Sequence, residues 1–140
     1  MHPGGNPAPP AEEIPLESPF KGKTGVIRIV HAFFNSLAGL RDAWRHESAF
    51  RQEIALAVVL IPAACFLPVA PGERALLIAA VLLVLIVELL NSSVEAAIDR
   101  ISFAHHSLSK RAKDIGSAAV LLALLLLAFV WGAVLIPRWL

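Results

Sequence analysis

The sequence predicts an all-α integral membrane protein, with three transmembrane helices preceded by an N-terminal amphipathic surface helix. Three observations carry that prediction. The 140 residues are 57% hydrophobic and only 16% charged, with a mean hydropathy of +0.71, too apolar for a soluble domain of this size. Three apolar runs, Ile54–Ala70, Ala75–Leu90 and Ser117–Ile136, reach or approach the roughly 20 helical residues that a bilayer core of about 30 Å requires. The second run then continues, with no Gly or Pro break, into the polar sequence V-E-L-L-N-S-S-V-E-A-A-I-D-R at Val87–Arg100.

Taken in order, residues 1–23 are expected to form a disordered cytoplasmic tail. Met1–Phe20 holds six of the ten prolines, shows no helical or strand period, and lacks the apolar core of a signal peptide. From Thr24, Val26, Val30, Phe33, Leu37, Leu40 and Trp44 repeat at spacings of four and three, with Arg28, Asn35, Arg41 and Arg45 on the other faces. This pattern predicts a surface helix over about 24–50, held at the interface by aromatics and by Arg attraction to anionic lipid. A simple anchor would look the same.

The spans follow at about 51–70, 75–99 and 113–136. Pro68 and Pro71-Gly72 predict a tight turn at Pro71–Arg74 that returns the chain antiparallel. Pro62 can kink the first span. Lone Cys65 excludes an intrachain disulfide and reads as a buried, inert thiol. Of the twelve basic residues, only Arg74 and Arg138 fall outside the segments before the first span and between the second and third. The positive-inside rule therefore places the N-terminus in the cytoplasm and the C-terminus outside. No nucleic-acid partner is expected at a net charge of +1.

The candidate chemistry lies in the polar stripe. At about 100° per residue, Glu88, Asn91, Glu95 and Asp99 fall within roughly 80° of one another, along roughly 16 Å of helix. Carboxylates at membrane depth are rare unless they have partners or a function. Glu47, in H-E-S-A-F-R-Q-E at His46–Glu53, gains little at an anionic surface and is available as a further acid. Lys113 and Asp114 open the third span at the depth of Glu95 and Asp99. His105 and His106 invite a metal reading, but no zinc-type spacing completes a site.

No G-x-x-x-x-G-K-[ST] or G-x-G-x-x-G loop is present. Carboxylates that hold Mg²⁺, basic groups that bind polyphosphate and an acid near the lipid tails together suit phosphoryl transfer from a nucleotide to a lipid. A proton-coupled transporter also places acids in its helices. A structural membrane protein is the third alternative.

The stretch E-L-L-N-S-S-V-E-A-A-I-D-R resembles the Glu-x-x-Asn-[Ser/Thr]-[Ala/Ser]-[Ile/Val]-Glu-x-x-x-Asp signature of the prokaryotic diacylglycerol kinase family. A-F-R-Q-E and R-A-K-D-I-G-S-A-A-V resemble its two other hallmark segments, and the likeness runs from Gly25 to about the end. The resemblance implies a homotrimer in the bacterial inner membrane, with active sites between protomers, that uses Mg²⁺ and ATP to phosphorylate diacylglycerol. It implies that Glu88 is the base and Asn91 a polar residue beside it, orienting it. Glu47 and Glu95 would hold the metal with ATP, and Arg28, His106, Lys113 and Asp114 would contact the nucleotide. Ser36, Arg41, Trp44, Phe50, Arg51, Gln52, Glu53 and Ser117 would line the lipid cleft. Asp99 matches without a settled role, either direct or through Lys113 or Arg100. Asn35 and Phe66 depart from the Tyr and Trp of the best-known members. A related branch phosphorylates undecaprenol and shares the acid stripe, so that lipid is the alternative substrate; A-F-R-Q-E and Trp44 look more like the diacylglycerol branch.

Overall fold

The computed structural model describes residues 25–101 and 107–139. The expected tail and His106 lie outside the described residues. Four helices form: α1 Val26–His46, α2 Ser48–Phe66, α3 Pro71–Ile101 and α4 Ser107–Trp139. Two compact units divide the chain, Met1–Leu37 and Ala38–Leu140.

In the first unit, Gly25 enters α1 with a φ of +62°, a left-handed conformation open to glycine. Phe33 and Phe34 meet edge to face at 5.9 Å, and the Ser36 hydroxyl donates to Ala32 O at 2.8 Å. Val26, Phe33 and Leu37 are all exposed.

The second unit is organised around α3, which packs against both α2 and α4. Helices α2, α3 and α4 are each long and apolar enough to cross a membrane, and α3 has the most buried span, 28% against 17% and 11%. Its buried residues Leu77, Ala80, Val81, Val84 and Glu88 recur at spacings of three and four, the period of one helix face. Opposite them, α2 presents Phe50, Glu53, Ala57 and Ala64, and α4 presents Ala123 and Leu127. Ala57, Ala80, Val81, Val84, Ala123 and Leu127 make one cluster; Ala64, Val69 and Leu77 make a second near the α2–α3 turn. Alanines at the contacts let the backbones approach, the usual route to dispersion energy between membrane helices.

Several boundaries differ from the hydropathy pattern. Helix α1 stops at His46 rather than about residue 50, because Glu47 adopts extended dihedrals, φ −102° and ψ 112°, before α2 begins. Pro71–Arg74 is not the turn but the first turn of α3. Pro71 takes the first helical position, where its missing N–H is no loss. The Ala70 N–H donates to Glu73 Oε2 at 2.8 Å, the return half of a capping box. Helix α4 starts at Ser107 because nothing in Ser107–Ala112 breaks a helix; hydropathy marks the bilayer, not the hydrogen-bonded ladder. Cys65, expected to be buried, is exposed on the surface of α2.

The turn end is closely tied. Arg74 donates through Nε to Ala64 O and through a terminal nitrogen to Leu67 O, both at 3.1 Å, satisfying carbonyls that the end of α2 leaves open. Arg138 of α4 pairs with Glu73 at 2.7 Å. The Trp131 indole N–H donates to Leu77 O at 3.2 Å. Leu77 is 0% exposed at this junction whereas Phe66 is 89% exposed. Leu77→Ala is therefore expected to lower stability by about 2–5 kcal/mol, and Phe66→Ala by less than about 0.5 kcal/mol, measured by denaturant titration in mixed micelles.

Candidate active site

On α3 the polar stripe is graded in exposure. Glu88 is 4% exposed, Asn91 and Glu95 are half-buried, and Asp99 is exposed. The buried end lies where α3 packs on α2. These helices run antiparallel, so one turn beyond the level of Ala57 and Val84, which share a cluster, α2 presents Glu53 and α3 presents Glu88. Glu53 is 8% exposed, and its Oε2 has no hydrogen-bond partner. Like charges in a low dielectric repel, and the packing of α2 on α3 sets the carboxylates of Glu53 and Glu88 opposite each other.

Glu47 supplies its carboxylate from the N-cap of α2, where its side chain makes no capping bond. The neighbouring helix end, that of α1, is capped by a donor. Arg51 donates from one guanidinium nitrogen to Trp44 O at 3.0 Å and Arg45 O at 3.4 Å, closing the last carbonyls of α1. Among the described residues, no three His, Cys, Asp or Glu stand close enough to enclose a metal. A divalent cation that arrives with a nucleotide would need only one or two protein carboxylates.

Asn91, expected to orient Glu88, instead donates from Nδ2 to Glu95 Oε1 at 3.2 Å, a contact that the i, i+4 spacing permits. Its Oδ1 is buried without a hydrogen-bond partner and lies against Gly116 of α4. An apolar groove of about 430 Å³ opens here between α3 and α4, lined by Val87, Leu90, Val94, Ile115 and Ala119 beside Asn91 and Gly116. Further along, Lys113 Nζ pairs with Asp99 Oδ1 at 2.6 Å. Asp114 pairs with Lys110 at 2.7 Å, not with the stripe.

The other expected residues are more scattered. Phe50 is buried on the packing face of α2. Arg41, Trp44, Gln52 and Ser117 are exposed. Arg28 and Ser36 are exposed in the first unit. Gly116 went unnoticed in the sequence, although a glycine inside a long apolar helix is itself a signal of close packing.

The three motif-bearing segments of the second unit thus lie along α2, α3 and α4, and comparison with known proteins accounts for them together. A family model described as "Prokaryotic diacylglycerol kinase" matches residues 34–135. The chain belongs to this family. It is 56% identical to a diacylglycerol kinase of Pseudomonas aeruginosa over 119 residues, covering 85% of this chain and 97% of the relative. It is 50% identical to the diacylglycerol kinase of Escherichia coli strain K12 over 108 residues, 77% of this chain and 88% of that one. A diacylglycerol kinase of Helicobacter pylori strain J99 is 43% identical over 115 residues, 82% of this chain and 90% of the relative.

The roles of Arg51 and Glu47 separate in a measurement that needs no substrate. In Arg51→Ala the amides of residues 42–46 should exchange with deuterium faster, because the end of α1 loses its cap. Glu47→Gln should leave that exchange unchanged.

Proposed function

We propose that this protein is a diacylglycerol kinase of the bacterial inner membrane, which transfers the γ-phosphate of ATP to the primary hydroxyl of diacylglycerol and releases phosphatidic acid and ADP. The observation that carries the proposal is Glu88, a 4% exposed carboxylate on the packing face of a helix apolar enough to span the bilayer, opposite Glu53. From Pro71, Glu88 is about 26 Å along α3, close to the full depth of a hydrocarbon core. A diacylglycerol hydroxyl sits at that boundary, between tails and water.

In this reading Glu88 accepts the proton of the lipid hydroxyl while its oxygen attacks the γ-phosphorus. The bond between that phosphorus and the β,γ-bridging oxygen breaks, and ADP leaves. Lys113, held by Asp99, offsets charge on the transferred group. Glu47 and Glu95 hold Mg²⁺, which when bound supplies charge neutralisation to the phosphates. Asn91 fixes the carboxylate of Glu95 by their hydrogen bond. Arg28, His106 and Asp114 contact the nucleotide. Arg41, Trp44, Gln52, Glu53 and Ser117 serve the lipid side with Ser36, Phe50 and Arg51.

The assembly we propose is a homotrimer. Large exposed apolar residues such as Leu83, Ile86, Leu121, Leu125 and Phe129 suit either lipid or neighbouring copies, and the number three comes from the family resemblance. Helix α1 lies amphipathically on the cytoplasmic surface. The N-terminus and the α3–α4 connection face the cytoplasm, and the C-terminus faces outward, as the distribution of basic residues suggests.

The test is phosphate transfer by the purified protein in mixed micelles, with diacylglycerol and undecaprenol offered separately. Transfer to diacylglycerol is expected, and a preference for undecaprenol would reassign the substrate. Glu88→Gln should retain ATP binding and lower kcat by roughly a hundredfold or more; full turnover in that variant would remove Glu88 from the role. Asp99→Asn should free Lys113 and raise the KM for ATP several-fold, leaving the KM for lipid unchanged.

A further inference from the structure

Gly116 sits inside α4, where glycine is a poor helix former, and its surroundings show what the missing side chain permits. A Cβ built on Gly116 would collide with Asn91 Oδ1 and come within 3.2 Å of Asn91 Cγ. The other glycine inside α4 differs: a Cβ at Gly132 would meet Ile136 Cδ1 at an ordinary 3.6 Å. The carboxamide of Asn91 therefore occupies the space that any other residue at 116 would fill. A buried acceptor without a conventional donor is uncommon, and Asn91 Oδ1 is one. The Cα–H of Gly116 that a side chain would replace points at it, an arrangement known at close helix contacts. With the oxygen end seated on α4, the amide nitrogen is left facing Glu95 Oε1, to which it donates at 3.2 Å.

We propose that Gly116 is a positioning residue of the kinase, whose empty Cβ site seats the Asn91 carboxamide so that Asn91 in turn fixes the Glu95 carboxylate. The inference rests on Glu95 being a metal ligand. Groups hydrogen-bonded to a metal's ligands govern affinity by orienting them, and here the orientation is set from a second helix. The reverse amide orientation would put an oxygen against a carboxylate and is disfavoured by repulsion. Gly116 needs no contact with any substrate to act in this way.

The experiment uses the full chain in mixed micelles with a non-hydrolysable ATP analogue and Mn²⁺ in place of Mg²⁺, free Mn²⁺ being counted by its electron paramagnetic resonance signal. Gly116→Ala should weaken Mn²⁺ binding about tenfold or more, while in a separate turnover assay with ATP the KM for lipid stays unchanged, and Gly132→Ala matches the parent in both. Asn91→Ala should show a similar loss, and the Gly116→Ala/Asn91→Ala double variant should bind no more weakly than Asn91→Ala alone. Parental Mn²⁺ affinity in Gly116→Ala, or losses that multiply in the double variant, would overturn the proposal. Should Gly116→Ala fail to fold, the double variant decides: folding restored by removal of the Asn91 side chain supports the seat, and a double variant that also fails refutes it. Glu95→Gln separates the two levels, since unchanged Mn²⁺ binding there would sink the metal assignment itself and the proposal with it, whereas loss in Glu95→Gln beside none in Gly116→Ala sinks the positioning role alone.

Discussion

A carboxylate on the packing face of a membrane-spanning helix is tolerated only where protein, not lipid, surrounds it, and the second unit is arranged to meet that condition. Helix α3 is sandwiched by two others, and its most buried acid lies in register with the residues that pack best. Leu77, Val81 and Val84 bring α2 close through Ala57 and Ala64. That close approach carries on for one more turn and covers Glu88. The same periodicity that makes the hydrophobic contact therefore creates the polar one.

The two ends of the α3–α4 pair are closed differently. At the turn end, Glu73 serves both as the capping residue of α3 and as the partner of Arg138, while Arg74 ties off α2. These groups fix helix ends, and none of them belongs to the acid stripe. At the other end, the pairs Lys113–Asp99 and Lys110–Asp114 are more exposed. Exposed ion pairs contribute little to stability, so these two pairs hold this end only weakly. Rigidity is concentrated at one end and weakly held charge at the other.

The stripe was legible in the sequence because helical periodicity is local: Glu88, Asn91, Glu95 and Asp99 share a face whatever packs against them. The three apolar spans are legible for the same reason, and Lys113, expected at the level of Asp99, pairs with it. What was not legible depends on contacts between helices. The spacing of Asn91 allowed a bond to Glu88 or to Glu95, and the amide chose Glu95 with its other end set against Gly116 of α4. Glu53 lay within a recognised segment, yet its register opposite Glu88 follows only from how α2 and α3 pair. Pro71 and Gly72 signal a break in isolation, whereas Pro71 followed by Glu73 starts a helix. Apolar composition in a membrane helix does not distinguish a core-facing position from an outward-facing one, which is why Cys65 is exposed against expectation.

The bond from Trp131 to Leu77 O also makes the molecule optically informative. The indole lies partly buried in an apolar junction with its N–H committed to a backbone carbonyl of the neighbouring helix, so its emission reports directly on the separation of α3 and α4. Of the three tryptophans, Trp44 is exposed near the end of α1, whereas Trp131 sits at that junction. A protein with Trp44 and Trp139 replaced by phenylalanine would carry an intrinsic fluorophore at the seam between its helices, without an attached label.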